Sequence, residues 1–523
     1  MRYPVGIQTF SEIREEGYFY VDKTELIYRL VNENKFVFLS RPRRFGKSLL
    51  VSTIKEYFEA HQELFEGLAM ESLEKEWKQY PVLRFDLSGA SYSRVETIRE
   101  KLRGYLKEYE TKYNLPDCNN STDVGVRFYS LINGIVKQTT KKVVILIDEY
   151  DKPLIDSLHD NELHDSLKRE LRGFYSVLKQ SDEYIRFALL TGVTKFGKIT
   201  VFSGLNNLED ITLSADYNTL CGISESELHR YFEQSVYEFA EFNDIPAEEA
   251  WTELKRAYDG YHFSRQGEDM YNPFSLLKAL KYKEIGDYWF ESGSPSHLVE
   301  LIERNHFSLP DMNNPVRTAS QLSDISIMDR DFVPVLFQAG YLTIKAYSRA
   351  TKEYTLGIPN TEVNVAFWEC MINHYFRTRT TPRLFAIENF RDSLETGDVE
   401  DFLQRLRSLM SDTSSEHEPN KEIHFQNMFA IFVKLLGYIA QAESHSSRGR
   451  CDLTVETSNF IYIFEFKVNS TPADALDQII EKGYAERFEA DPRQKILAGV
   501  NFSTEKRTID GWKISTIKKL EAI

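Results

Sequence analysis

Cysteine is scarce and scattered in this chain of 523 residues. The four cysteines lie far apart and form no C-x-x-C pair: Cys118, Cys221, Cys370 and Cys451. This spacing argues against a zinc ribbon or a disulfide framework, and it fits a reducing compartment. Proline and glycine are also few, at 16 and 25 residues, which argues against long disordered stretches.

Long apolar runs are missing as well. No run approaches the roughly 20 residues that a membrane-spanning helix needs. The N-terminus lacks the charged-then-apolar plan of a signal peptide. We therefore expect a cytoplasmic protein that makes no membrane contact.

Basic residues are outnumbered by acidic residues, 64 to 80. The formal net charge is −16 and the pI is about 5.3. Such a chain does not attract nucleic acid over its whole surface, so any contact with nucleic acid must be a local patch. Charges nearly balance over residues 421–523, which makes the C-terminal part the least repellent to a phosphate backbone.

Apolar residues are plentiful, at 42%, and the length predicts two to four domains. Continuous apolar runs at 36–39, 143–147 and 187–190 alternate with helical segments, which predicts a mostly parallel sheet in an α/β fold. Helical periodicity dominates from residue 224, where Ser224 and Glu227 have the spacing of a capping box.

The later part of the chain is predicted to hold one long helix at 387–409 and a polar linker at 411–421. A compact α-β-β-β-α-β unit is expected after the linker. Its two helices are predicted at 425–436 and 472–488.

A phosphate-binding loop is predicted directly after the first apolar run. It ends in Gly-Lys-Ser, as in the pattern G-x-x-x-x-G-K-[ST], although Arg41 stands at the first glycine position. Backbone N–H groups and the helix N-terminus of such a loop face a triphosphate such as ATP. Lys47 would reach the outer phosphates, and Ser48 would contact Mg²⁺. The predicted nucleotide-binding residues of the loop are Arg43, Arg44, Phe45, Gly46, Lys47 and Ser48.

Paired carboxylates end the second apolar run. Asp148 would hold Mg²⁺, and Glu149 would orient or deprotonate the attacking water. Thr191, at the tip of the next buried strand, is expected to contact the γ-phosphate. In the alternative interpretation, the two carboxylates only cap the following helix.

Three arginines flank the loop: Arg41, Arg43 and Arg44. Their guanidinium groups would either clamp the nucleotide or neutralise neighbouring acidic side chains. The sequence leaves both interpretations open.

A second candidate site lies near the C-terminus, where Asp452 precedes Glu465 and Lys467. Because side chains alternate along a strand, Glu465 and Lys467 share one face, and a hairpin would bring Asp452 beside Glu465. Two facing carboxylates bind Mg²⁺ or Mn²⁺ through oxygen. Lys467 would then stabilise the charge that develops during phosphodiester cleavage. On the following helix, Gln478 and Lys482 would project over the same site.

A turn beside the carboxylates carries two further basic residues, Arg448 and Arg450. They are predicted to contact a phosphate backbone.

Several segments together resemble a family of bacterial proteins. The most specific is 40–48, and the others are 10–24, 147–151, 203–207, 258–263, 271–274 and 340–344. They are similar to AAA-ATPase-like proteins that carry a C-terminal nuclease-like domain of the PD-(D/E)XK superfamily, in which the missing first glycine is usual. The resemblance covers nearly the whole chain. It also implies that residues 20–24 lie near the nucleotide.

The fold expected from the motifs and the resemblance is α/β throughout, with an N-terminal P-loop NTPase sheet, a helical middle region and a C-terminal restriction-endonuclease-like domain. The predicted boundaries are 1–223 for the P-loop domain, 224–345 for a helical lid or regulatory region, 346–420 for a helical connector and linker, and 421–523 for the nuclease-like domain.

The leading hypothesis is an ATPase that controls a Mg²⁺-dependent nuclease acting on DNA, in defence against or processing of foreign DNA. The predicted metal-binding residues are Asp452 and Glu465 at the nuclease site, and Ser48 and Asp148 at the nucleotide site. The alternative is a nucleotide-switched scaffold that grips DNA or a protein without cutting. Oligomeric state and the choice of ATP over GTP stay open, with a homo-oligomer as one option.

Overall fold

A computed structural model describes residues 2–115, 121, 123–158, 160–195, 207–291, 314–323, 331–375, 384–411, 439–446, 449–506 and 508–517. These residues form two compact units. The first contains residues 2–291, 316–323 and 333–362 among those described, and the second contains residues 314–315, 331–332 and 363–517.

A five-stranded parallel sheet forms the centre of the first unit. Its strands are β1 Phe36–Ser40, β2 Val82–Asp86, β3 Val143–Asp148, β4 Ile185–Gly192 and β5 Glu209–Asp210. They lie side by side in the order β2-β3-β4-β1-β5. Every residue of β1 and β3 is buried, as expected for continuous apolar strands that are covered on both faces. The predicted parallel α/β fold is therefore confirmed.

Helices surround this sheet and continue into the middle of the chain. They are α1 Phe10–Glu15, α2 Thr24–Glu33, α3 Lys47–Phe58, α4 Ala69–Leu73, α5 Val95–Lys112, α6 Val124–Thr139, α7 Lys152–Asp156, α8 Asn161–Gln180, α9 Glu225–Phe242, α10 Ala247–Tyr258, α11 Pro273–Tyr282, α12 Tyr288–Glu291, α13 Ala319–Ser323 and α14 Val333–Ala339. The capping box predicted at the start of α9 is present, with both of its hydrogen bonds.

Two small antiparallel sheets accompany these helices. One joins β6 Ile223–Ser224 to β7 Met270–Tyr271, and the other contains β8 Val316–Thr318, β9 Thr343–Ser348 and β10 Glu353–Gly357. Helix α15, Thr361–Tyr375, begins at the end of the first unit.

The second unit contains a mixed five-stranded sheet and three further helices. These are α16 Leu384–Thr396, α17 Val399–Ser411, β11 Ile439–Ser446, β12 Gly449–Glu456, β13 Phe460–Val468, α18 Pro472–Glu481, β14 Gln494–Ser503 and β15 Thr508–Ile517. The strands follow chain order in the sheet. The pair β13–β14 is parallel and α18 makes its crossover, whereas the other pairs are antiparallel.

Three sequence predictions for this unit were wrong in detail. The helix predicted over 387–409 is two helices, broken at Gly397, whose φ of 84° ends α16. Helix α18 ends at Glu481 instead of continuing to residue 488. Strand β15 is not predicted, because polar residues interrupt the alternation of apolar and polar side chains along it. The helix at 425–436, residues 412–421 of the predicted linker and Arg448 lie outside the described residues, whereas Ser411 still belongs to α17.

The two faces of the β11–β15 sheet have different coverings. Ile461 and Ile463 pack with Leu476 and Ile479 of α18 on one face. Tyr462 points the opposite way, because side chains alternate along β13, and its hydroxyl donates to the carbonyl of Leu394 in α16. Helix α18 therefore lies on the face that also carries Glu465 and Lys467.

Gly499 of β14 lets α18 approach the sheet. It lies beside Glu465 in the β13–β14 register. A Cβ atom at Gly499 would meet Pro472 O at 2.4 Å and Leu476 N at 2.5 Å, and both of these atoms belong to the backbone. We infer that the absence of a side chain here sets the height of α18 above Glu465.

Substitution of this glycine gives a testable prediction. Gly499→Ala is expected to lower the free energy of unfolding by about 1–3 kcal/mol, because backbone atoms must move to admit the methyl group. Gly511→Ala is the matched control, since its Cβ would only touch Pro472 Cγ at 3.4 Å. Chemical denaturation compares the two variants, and equal unfolding midpoints would contradict the close approach described above.

No helix in the described ranges is long and apolar enough to cross a bilayer.

Candidate functional site

The phosphate loop connects β1 to α3, as the sequence predicts. Two of its residues have left-handed backbones, Arg44 with φ of 69° and Gly46 with φ of 90°. Alternating backbone handedness of this kind turns successive N–H groups toward one point, which suits an anion. Gly46 is the N-cap of α3, and no side chain caps this helix end, so its first N–H groups remain available to a phosphate. Ser48 lies half-buried in the first turn.

Lys47 is buried inside the curve of the loop. Its Nζ donates to Arg41 O at 2.9 Å and to Pro42 O at 3.1 Å. Burial lowers the pKa of Lys47, while three nearby carboxylates act in the opposite direction: Glu149, Asp148 and Asp151. The cation therefore stands between the loop and the acidic end of β3.

Asp148 and Thr191 meet at the carboxyl edge of the sheet. Because β4 lies between β1 and β3, Thr191 at its end is close to both the loop and Asp148. The Thr191 hydroxyl donates to Asp148 Oδ1 at 2.6 Å, and both side chains are buried. Arg84 of β2, which sequence reasoning missed, brings its guanidinium to 3.9 Å from Asp148 Oδ2.

Glu149 follows Asp148 with a φ of 51°, an uncommon value for a residue with a side chain. Burial raises the pKa of Glu149, and the charges of Lys47 and Arg43 partly oppose this shift. A carboxylate with a raised pKa is a stronger base toward water. The N-cap of α7 is Asp151, and no side chain makes the capping hydrogen bond of α7, so the geometry does not favour the capping interpretation of Asp148 and Glu149.

The three arginines of the loop have different surroundings. Arg41 is fully buried, and its guanidinium donates to the carbonyls of Ser40, Thr212 and Tyr217. It therefore holds backbone together and fits neither interpretation offered by the sequence. Arg44 lies 4.7 Å over the Phe274 ring, while Arg43 is exposed near Glu149.

Phe45 anchors the loop from behind. Its ring is buried and makes edge contacts with Tyr261 at 4.7 Å and with Phe263 at 5.2 Å. The buried ring therefore positions the backbone of the loop, and Phe45 also lines the cavity beside Gly46.

An apolar cavity of about 100 Å³ lies beside Gly46. Tyr20, Val21 and Ile223 line it together with Lys23, whose ammonium is bound to Glu227 Oε2 at 2.6 Å. This ion pair leaves the wall without a free charge. Three residues of the segment 20–24, which the family resemblance expects near a nucleotide, therefore line this cavity.

The residues predicted for the second site converge in the second unit. The backbone N–H of Asp452 donates to Glu465 Oε2 at 3.4 Å, and the N–H of Phe466 donates to Asp452 Oδ2 at 2.8 Å. Lys467 Nζ lies 3.7 Å from Glu465 Oε1. Carboxylates from β12 and β13 thus face each other with a lysine beside them.

Gln478 of α18 joins this cluster. Its amide nitrogen donates to Glu465, and its oxygen accepts from Lys467 Nζ at 2.7 Å. Tyr484, which sequence reasoning missed, has its hydroxyl 3.4 Å from the same amide nitrogen. Lys482 is exposed, and no described contact joins it to the cluster.

Both carboxylates offer hard oxygen donors, the ligands that Mg²⁺ and Mn²⁺ prefer. Glu465 is almost completely buried, and Asp452 is half-buried. A divalent cation would compensate the negative charges of the buried Glu465 and the half-buried Asp452. The donor set therefore fits the predicted metal.

Comparison with known proteins gives matches at both ends of the chain. Residues 4–202 match the AAA-ATPase-like family, described as a predicted AAA-ATPase, and residues 420–512 match the PD-(D/E)XK nuclease superfamily. An uncharacterized protein from the vnfD 5' region of Azotobacter chroococcum mcd 1 is 34% identical over 529 residues, which cover 98% of this chain and 99% of that protein. The resemblance noted in the sequence is confirmed.

Proposed function

Because this chain belongs to the family of predicted AAA-ATPases with a C-terminal PD-(D/E)XK nuclease superfamily domain, we propose that it hydrolyses ATP and thereby controls cleavage of DNA. The observation that carries the nuclease half is the convergence of Asp452, Glu465, Lys467 and Gln478. These side chains come from two strands and a helix, and hydrogen bonds connect them.

The nucleotide half follows from the chemistry of the loop. The N–H groups of the loop and Lys47 bind the phosphates, while the apolar cavity beside Gly46 takes the neutral base. Ser48 and Asp148 hold Mg²⁺, which offsets phosphate charge when bound. Glu149 receives a proton from the attacking water. The Thr191 hydroxyl donates a hydrogen bond to Asp148 and so orients that carboxylate, which corrects the γ-phosphate contact expected from the sequence.

The nuclease half uses two carboxylates and a lysine. Asp452 and Glu465 hold Mg²⁺ or Mn²⁺, which polarises the scissile phosphate when bound. Lys467 stabilises the developing negative charge, and Gln478 holds the lysine in place through the 2.7 Å hydrogen bond. The substrate class is a DNA phosphodiester. Defence against foreign DNA, or its processing, in a bacterial cytoplasm is the setting we propose.

A nuclease assay with and without ATP tests this function. Purified protein with Mg²⁺ or Mn²⁺ is incubated with single- and double-stranded DNA and with RNA, and cleavage is followed on gels. We expect DNA cleavage whose rate changes with ATP. Intact DNA and RNA under every condition would refute the nuclease half, and a rate independent of ATP would refute the control.

A second candidate function is a nucleotide-switched scaffold whose nuclease-like domain binds without cutting. The net charge of −16 favours it, because an acidic protein repels the DNA that a nuclease must hold. Calorimetric titration with Mn²⁺ separates the two functions. Metal binding that Asp452→Asn weakens supports the nuclease, whereas no metal binding supports the scaffold.

A further inference from the structure

Trp289 contacts the phosphate loop from a distant part of the chain. It belongs to α12, 246 residues after Arg43, and its indole N–H donates to Arg43 O at 3.2 Å. The side chain is buried and makes an edge contact with Tyr341 at 5.2 Å. An indole in this position fixes one carbonyl of the loop.

Fixing that carbonyl also fixes a donor. In a trans peptide the C=O and the following N–H point in opposite directions, and the unit is rigid. The hydrogen bond to Arg43 O therefore turns the N–H of Arg44 away from the indole. Since Arg44 has the left-handed backbone that curves the loop, this N–H is one of the donors that an anion in the loop would use.

Glu362 in turn holds Trp289. Its Oε1 accepts from the backbone N–H of Trp289 at 2.8 Å and from the hydroxyl of Ser275 at 2.9 Å. The carboxylate is buried. Glu362, itself bound by Ser275, thus fixes the position of the Trp289 backbone. The indole therefore has little freedom to move with the loop.

The turn at Gly340 adds a second contact to the same loop. A Cβ atom there would lie 2.7 Å from Pro42 Cβ and 3.6 Å from the indole of Trp289. The φ of Gly340 is 92°, which a glycine adopts without strain. The loop therefore contacts Trp289 at Arg43 and this turn at Pro42.

We propose that Trp289 is a positioning residue of the nucleotide site: through Arg43 O it aims the Arg44 N–H at the β-phosphate of the nucleotide. Glu362 keeps Trp289 in place. This inference rests on the proposed binding of ATP at the loop. It adds to that function a residue from the middle of the chain, which the loop pattern does not contain.

Trp289→Phe tests the proposal, because phenylalanine keeps an aromatic ring and loses the N–H donor. Affinities for ATP, ADP and AMP are measured by calorimetry with Mg²⁺. We expect ATP and ADP to bind about five- to tenfold more weakly, the effect of one lost hydrogen bond, while AMP binding is unchanged. Trp251→Phe is the matched control, since Trp251 stacks on His229 at 4.0 Å, away from the loop.

A second pair of variants tests the role of Glu362. Glu362→Gln keeps an oxygen that accepts from Trp289 N, so ADP affinity is expected to stay near that of the wild type. Glu362→Ala removes the acceptor and is expected to weaken ADP binding as Trp289→Phe does. Thermal unfolding of each variant identifies loss of affinity that comes from misfolding.

The outcomes separate this proposal from the function it rests on. If the wild-type protein binds neither ATP nor ADP, the proposed nucleotide site fails. If the wild-type protein binds both and folded Trp289→Phe binds them as Trp251→Phe does, the role of Trp289 is refuted. Equal weakening of AMP and ADP by Trp289→Phe also refutes it, because the effect would not depend on the β-phosphate. If Trp289→Phe does not fold, Glu362→Gln against Glu362→Ala decides, and equal ADP affinities in that pair overturn the proposal.

Discussion

The Lys467→Ala variant is expected to cleave DNA at least about 100-fold more slowly than the wild-type protein while hydrolysing ATP at the same rate. The Lys467 ammonium lies 3.7 Å from Glu465 Oε1, beside the proposed metal site at which negative charge would develop on a bound phosphate. Removing one preorganised charge of this kind typically costs about 10²–10³ in rate. Initial rates of cleavage and of phosphate release, measured on the same preparation, give the two activities.

Lys506→Ala serves as its control. Lys506 belongs to the same unit and is well exposed. It lies in the turn after β14 and pairs with Asp510 of β15. Both variants lose one positive charge, so a general electrostatic loss of DNA affinity affects them alike. Equal cleavage by the two variants would contradict the role of Lys467, and loss of ATPase activity in Lys467→Ala would contradict separate chemistry at the two sites.

The Lys47→Ala variant is expected to bind ATP at least about 100-fold more weakly. Its ammonium is the cation held within the loop by Arg41 O and Pro42 O. Without it, a triphosphate would meet the carboxylates of Asp148 and Glu149 with no cation from the loop between them. Equilibrium titration with a fluorescent ATP analogue measures the change.

Lys55→Ala is the matched control for that experiment, because Lys55 lies two turns further along α3 and pairs with Glu56 and Glu59. Thermal unfolding of both variants identifies a loss of affinity that comes from misfolding. Normal ATP affinity in a folded Lys47→Ala protein would remove the basis for the nucleotide site.

The features that the sequence predicts best are local. Strands β1, β3 and β4 are continuous apolar runs, and a short loop before a helix determines where Lys47 and Ser48 lie. The nuclease cluster was also predictable, because period-two alternation puts Glu465 and Lys467 on one face of β13 and a hairpin supplies Asp452. At both sites, pattern and geometry agree where one short segment or one hairpin supplies the residues.

The features that the sequence does not reveal depend on distant contacts. Arg41 binds carbonyls more than 170 residues away, and Trp289 reaches Arg43 across 246 residues. No periodicity in the sequence marks such pairs. From the sequence alone, the buried Arg41 therefore resembles a phosphate ligand, and Trp289, which we propose positions the loop, resembles a core residue. Gly397 was likewise read as part of a helix, since one glycine hardly weakens a helical pattern.

Because Arg41 is buried, this loop is not expected to keep its shape when it is moved into another protein. In a glycine-rich loop, the glycines let the backbone adopt the required conformation without strain. Such a motif can be grafted onto a suitable strand and helix. In this protein, the buried guanidinium of Arg41 binds the carbonyls of Thr212 and Tyr217, which lie well outside the motif. A transplanted copy of residues 40–48 would carry the Ser40 carbonyl with it but would leave the guanidinium without its two distant acceptors. Conversely, a glycine at position 41 would remove the donors that these two carbonyls bind, so this loop and its surroundings form one structural unit.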